Sequence, residues 1–235
     1  MDTLNKLNQE IIACRKCPRL VEWREEVARV KRKAYKDNEY WGKPVPGFGD
    51  PQARVLVVGL APGAHGSNRT GRQFTGDASG DFLYPALYRA GFASQPESKT
   101  RDDSLTLHDM YITASGRCAP PDNKPTPAEL DTCQPYLERE LETIQPKVIV
   151  ALGRIAFDSI LRIFYRPLTA DNGQKPAVYR PPSTVKFAHG ATYQLPNGPW
   201  LVCSYHPSQQ NTLTGKLTVE MFDAMWQKVR ELLAG

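Results

Sequence analysis

Short apolar runs alternate along the chain with stretches of helical spacing, and polar, glycine-rich or proline-rich segments separate them. The run Val55-Leu56-Val57-Val58 is rich in β-branched residues and ends in a Gly/Pro cluster, which predicts a buried strand. Leu107–Ser115, Lys147–Leu152 and Trp200–Ser204 predict three more strands. Val185–Phe187 and Thr192–Leu195 flank His189-Gly190 and predict a hairpin. Helical spacing runs from Leu4 to about Val30, with a break at Cys17-Pro18, and again over Ser79–Phe92, Pro127–Ile144, Arg154–Phe164 and Leu217–Leu233. Tyr35–Asp50 and Gln95–Ser104 read as loops, and the polar, proline-rich Arg166–Thr184 as a flexible excursion. Strands alternating with helices predict an α/β fold with a mainly parallel sheet.

Three polar loops each follow a predicted strand: Gly59–Gly80, Gly116–Pro125 and His206–Asn211. A parallel sheet gathers such loops at the carboxyl ends of its strands, where ligands bind. The first reads GLAPGAHGSNRTGRQFTGDASG. Its small residues let a ligand approach the backbone and leave N–H groups open to anionic or carbonyl oxygens. A glycine-rich loop alone is a weak signal, and a plain strand-to-helix connection is the ordinary alternative. No lysine stands before Ser67, which argues against a nucleotide-binding P-loop. Four prolines stand from Pro120 to Pro127, three in the second loop and one just past it, which makes this segment stiff.

The chain has 235 residues and 40% hydrophobic content, enough for one domain over 1–235 with a real core. No apolar run reaches the length of a membrane span. No apolar signal core follows Met1–Lys6, so a cytoplasmic protein is expected. The net charge of +5 is uneven: Arg15, Lys16, Arg19, Arg24, Arg29, Lys31, Arg32, Lys33 and Lys36 crowd one stretch. Such a stretch suits contact with phosphate, and equally a solvated helix face.

The five cysteines add chemistry. Cys14 and Cys17 form a C-x2-C, and 14 residues separate Cys118 from Cys133. Clustered thiols in a reducing compartment point to metal or redox work. This spacing leaves zinc, an iron–sulfur cluster and free buried thiols all open. Cys203 falls inside a predicted buried strand.

Taken together, the Gly59–Gly80 loop, the HPSQQN at His206–Asn211, the Cys14/Cys17 pair and the segment GRCAPPDNKPTPAELDTC ending at Cys133 resemble the uracil-DNA glycosylase superfamily, family 5, the B-type enzymes. The resemblance spans nearly the whole chain. It implies a three-layer α/β/α sandwich around a central parallel sheet. It implies that Cys14, Cys17, Cys118 and Cys133 ligate a [4Fe–4S] cluster, with residues 1–50 contributing to that site. It further implies a monofunctional DNA repair hydrolase. Such an enzyme would cleave the N-glycosidic bond of uracil, and of other deaminated bases such as hypoxanthine, in double- or single-stranded DNA, and would work as a monomer. A glycosylase takes its base out of the stack. Phe74 is then placed to stack on the base, and Gly59, Ala61 and Gly63 to offer backbone N–H groups. Ser208 would hold phosphate, and Gln209–Asn211 would fill the gap left by the base. His206 would stabilise the leaving base as an oxyanion hole does. Asp77 or Asn123 would position the attacking water, although Asp77 also suits a plain helix cap.

Two departures stand out against better-known glycosylases. Leu60 and Ala61 occupy positions where those enzymes carry an acidic or amide residue, and neither activates water. Ala114 stands where the A-type enzymes place a base-reading asparagine, which implies a wider base range. A non-catalytic, DNA-binding iron–sulfur protein is the main competing function. Electron transfer is disfavoured because the close cysteine run of bacterial ferredoxins is absent.

Overall fold

The computed structural model describes residues 3–165, 181–196 and 198–235. Its centre is a six-stranded sheet in the order β1-β3-β2-β4-β6-β5. The strands are β1 (Phe48–Gly49), β2 (Val55–Gly59), β3 (Met110–Ala114), β4 (Val148–Leu152), β5 (Thr192–Gln194) and β6 (Trp200–Ser204). β3, β2, β4 and β6 run parallel, and the two edge strands are antiparallel. Every residue of β2, β3 and β4 is buried, as expected where helices cover both faces of a parallel sheet.

Alternation along the strands sorts side chains into two cores. Val55, Val57, Ile112, Val150 and Val202 face α4 (Ala78–Arg89) and α8 (Val219–Ala234), through Leu83, Leu87, Phe222 and Trp226. Leu56, Val58, Tyr111, Ile149 and Cys203 face the opposite layer. That layer comprises α1 (Thr3–Ala13), α5 (Pro127–Ile144) and α6 (Arg154–Phe164). The result is the expected α/β/α sandwich. Two further helices, α3 (Ser67–Thr70) and α7 (Gln209–Leu213), are short and lie in the first and third loops.

Local chemistry fixes the element ends. Cys17 sits at the N-cap of α2 (Pro18–Val30), and Pro18 occupies its first turn, which accounts for the break in the amino-terminal helical pattern. Thr126 and Glu129 form a capping box on α5. Glu129 also takes two hydrogen bonds from Arg19, so α2 and α5 are locked together.

The hairpin expected around His189-Gly190 does not form. β5 pairs with β6, while Val185–Phe187 runs without a ladder. The Tyr193 hydroxyl accepts from the N–H of Lys186 and donates to its carbonyl, taking over the role of strand partners. Two segments expected as loops carry regular structure: β1 pairs with β3, and Pro121–Asn123 makes one 3-10 turn. The excursion expected at Arg166–Thr184 lies, through residue 180, outside the described residues. Among the described residues no helix is long and apolar enough to cross a membrane.

Candidate active site

The parallel strands bring the three polar loops to one edge. The Gly59 carbonyl accepts from the N–H of Ser115 at 3.0 Å, and that of Leu60 from Gly116 at 2.8 Å, joining the first two loops. Gly59 and Ala114 are register partners at the strand ends. Gly153, after β4, adds a fourth loop: its N–H donates to Ser204 at 2.8 Å, and a Cβ there would lie 3.3 Å from the Cβ of His206. The sequence reading missed its part in the site, although a glycine closing a parallel strand was the available signal.

Phe74 is the hub. It is buried and holds a left-handed backbone, φ 51°, which is strained for an aromatic residue. Its neighbours hold it there. The Tyr84 hydroxyl donates to the Gln73 carbonyl at 2.8 Å, and buried Arg72 donates to Thr75, Ser98 and Asp103. The ring packs on Gly59, where a Cβ would come within 2.8 Å of it. On its other neighbour, His206, the ring centroids are 5.8 Å apart and the planes meet at 33°.

His206 touches solvent with part of its ring, but surrounding protein desolvates it and pulls its pKa down to about 4. The imidazole is therefore neutral near pH 7 and keeps one N–H to donate. The Asn211 side-chain amide donates to the His206 carbonyl at 2.8 Å. That contact braces the loop and uses one of the Asn211 amide's two N–H groups. Ser208 stands at the N-cap of α7, with no side-chain cap bond, and Leu213 at the end of the same short helix is 81% exposed.

Asp77 caps α4: its Oδ1 accepts from the N–H groups of Ser79 and Gly80, both at 3.1 Å. Ser79 does not take over this job. The other oxygen, Oδ2, faces Gly63 and Gly66. Burial raises the carboxyl pKa against the pull of those two hydrogen bonds. Asp77 thus caps the helix with one oxygen and turns the other toward the first loop. Asn123 is placed differently: it is exposed on the turn after β3, with φ 56°, and no side-chain hydrogen bond among the described residues ties it to Phe74 or His206. Ala61 packs near Gly116, and Ala114 is buried, so small residues line the strand ends.

A second feature lies where the α1–α2 connection, the loop after β3 and α5 meet. Cys14, Cys17, Cys118 and Cys133 line one small cavity, together with Leu20, Arg117 and Tyr136. Burial raises the thiol pKa of Cys17 and Cys133, and pushes Cys118 up to about 12. Among the described residues no three His, Cys, Asp or Glu side chains are grouped closely enough for a single metal ion. Cys203 is apart, buried in β6.

The basic stretch proves less open than its composition suggested. Arg15 pairs with Glu25, Arg19 with Glu129 and Arg29 with Glu26, while Arg24 points into the protein.

Comparison with known proteins agrees with this geometry. Residues 46–230 match the family model of the uracil DNA glycosylase superfamily, and the chain belongs to that family. Within it, the chain is 53% identical to a type-5 uracil-DNA glycosylase of Thermus thermophilus over 95% of both chains. It is 43% identical to a type-5 uracil-DNA glycosylase of Pyrobaculum aerophilum over 93% of this chain and 87% of that one. A type-4 uracil-DNA glycosylase of Archaeoglobus fulgidus is more distant, at 34% over 76% of this chain and 74% of its own.

Proposed function

We propose that the chain releases uracil from DNA by hydrolysing its N-glycosidic bond, leaving the sugar–phosphate strand intact. One observation carries the mechanism: Asp77 Oδ2 lies against Gly63 and Gly66 of the first loop, and the neutral, desolvated imidazole of His206 packs on Phe74, all beyond the carboxyl ends of the strands. The extruded base stacks on Phe74, with backbone N–H groups of the Gly59–Gly66 loop within reach of its carbonyls. As the bond to the sugar lengthens, negative charge builds on a base oxygen and positive charge on the sugar. His206 donates its N–H to that oxygen, and its low pKa means the donor acts without itself being charged. Water adds to the anomeric carbon and gives a proton to Asp77 Oδ2, while the base leaves with the bonding pair. Asp77 supplies the function that Leu60 and Ala61 lack, which answers the non-catalytic alternative. Asn123, exposed and unengaged, is the second candidate for orienting the water.

The base range extends to hypoxanthine and other deaminated bases. Ala114 is buried beside Gly59 and offers no polar group that a different base would leave unpaired. Duplex and single-stranded DNA are both substrates, with Ser208 set against phosphate and the exposed Leu213 available to press into the gap left by the base.

The cysteine cavity is assigned a [4Fe–4S] cluster. Cys14, Cys17, Cys118 and Cys133 all line one cavity, which supports a group held by four sulfurs. Bound there, the group would cross-link three chain segments, a structural contribution separate from the hydrolysis. Uracil-containing duplex treated with the protein and then with alkali tests the activity. Metal analysis tests the cluster.

A further inference from the structure

Resting on the cluster assignment above, we infer that Arg24 is the counter-charge of the cysteine cavity: its guanidinium neutralises the thiolate-bound group and sets that group's reduction potential. Arg24 lies on the inward side of α2 and is 1% exposed. One terminal nitrogen donates to the sulfur of Cys118 at 3.7 Å, and the other to the Cys14 carbonyl at 3.4 Å. Among the described residues its Nε has no hydrogen-bond partner. The carboxylate paired with it among those residues, that of Glu25, is 3.6 Å away, is 44% exposed, and already takes two hydrogen bonds from Arg15.

Arg117, the other buried guanidinium at the cavity, differs on this point. It pairs with fully buried Glu140 and with Thr113, so its charge is cancelled where it sits. Arg24 is left as a buried cation with little local compensation, an arrangement that costs stability unless an anion is supplied. Four thiolates outweigh the positive charge of an iron–sulfur core, so the loaded site is net anionic. The two demands match.

Arg24 also reaches the other site. Its carbonyl accepts from the Asn68 side-chain amide at 3.2 Å, and the Asn68 N–H donates to the Gly63 carbonyl at 3.0 Å. The main chain of Arg24 is therefore tied to the first loop, while its guanidinium faces the cysteines.

The test uses iron-loaded wild type, Arg24→Met, Arg24→Gln and Arg24→Lys, purified without oxygen. Iron content, the reduction potential at an electrode and the thermal midpoint before and after chelation are read for each. Both neutral variants should reduce at more negative potentials than wild type, and Arg24→Lys should stay close to it. Chelation should lower the midpoint less in the neutral variants than in wild type, because they carry no cation to strand. Loaded Arg24→Met and Arg24→Gln with wild-type potentials, and equal loss on chelation, would overturn the role of Arg24 alone. Wild type without iron would overturn the cluster assignment, and the role of Arg24 with it.

Discussion

Asp77 Oδ2 occupies the space that a side chain at Gly66 would need: a Cβ at Gly66 would lie 1.9 Å from that oxygen. The first loop is therefore glycine-rich for a specific reason. It closes around a carboxylate whose second oxygen also holds the helix behind it.

Gly66→Ala should push the carboxylate out of line. Uracil release under single-turnover conditions should fall by about a hundredfold or more, the usual loss when one positioned catalytic group is displaced. Binding to uracil-containing DNA should persist, because no phosphate contact is touched. A full rate in Gly66→Ala would show that the carboxylate does not need this position.

Acidification should reveal two titrations of opposite kind. Burial raises the Asp77 pKa above its ordinary 3.8, so the single-turnover rate should fall at a higher pH than an ordinary carboxylate would give. His206 instead affects stability. Its folded-state pKa of about 4 lies below the ordinary 6.5, so between those values the unfolded chain binds more protons. Its contribution is complete above about pH 6.5 and declines as the pH drops toward 4. Wild type should therefore lose thermal stability relative to His206→Gln as the pH falls from about 6.5 to about 4, with a constant offset above that range. Parallel curves throughout would contradict a desolvated His206.

Much of this was legible from residue order alone. The β-branched runs gave the parallel strands, because a strand covered on both faces must be apolar throughout. Their ends gave the loops that meet at the site. What escaped were features decided by distant partners. Val185–Phe187 looked like a strand until the Tyr193 hydroxyl was seen to hold the Lys186 backbone. Asp77 read as either a helix cap or a group that positions water; the structure shows the cap on one oxygen and leaves the other facing the first loop. The arginines of the basic stretch looked available for phosphate, yet carboxylates engage three of them, one from distant α5, and Arg24 turns inward.

Cys118→Ser should lose iron and labile sulfide, whereas Cys203→Ser should keep both, since Cys203 is packed in β6 away from the cavity. Metal analysis after anaerobic purification settles the matter. Stoichiometric zinc with no sulfide in wild type would exclude the cluster.

Leu213→Ala should slow uracil release from duplex DNA more than from a single strand, because only the duplex has a stack for an exposed apolar side chain to enter. Equal effects on both substrates would assign Leu213 no wedge function.

Ala114→Asn should narrow the base range toward uracil, because its larger side chain takes buried space that the bulkier hypoxanthine needs. The ratio of hypoxanthine to uracil release measures this directly. Wild type that releases uracil alone would remove the basis for a wide pocket.

The central claim is that Asp77 and His206 together hydrolyse the glycosidic bond. Single-turnover release from a uracil-containing duplex, developed with and without alkali, tests it in wild type, Asp77→Asn and His206→Gln. Asp77→Asn retains an oxygen to cap α4, so a lost rate there reports chemistry and not a frayed helix. The expected result is strand breakage only after alkali in wild type, with each variant slower by about a hundredfold while DNA binding is retained. Breakage without alkali, or a wild-type rate in Asp77→Asn, would contradict it.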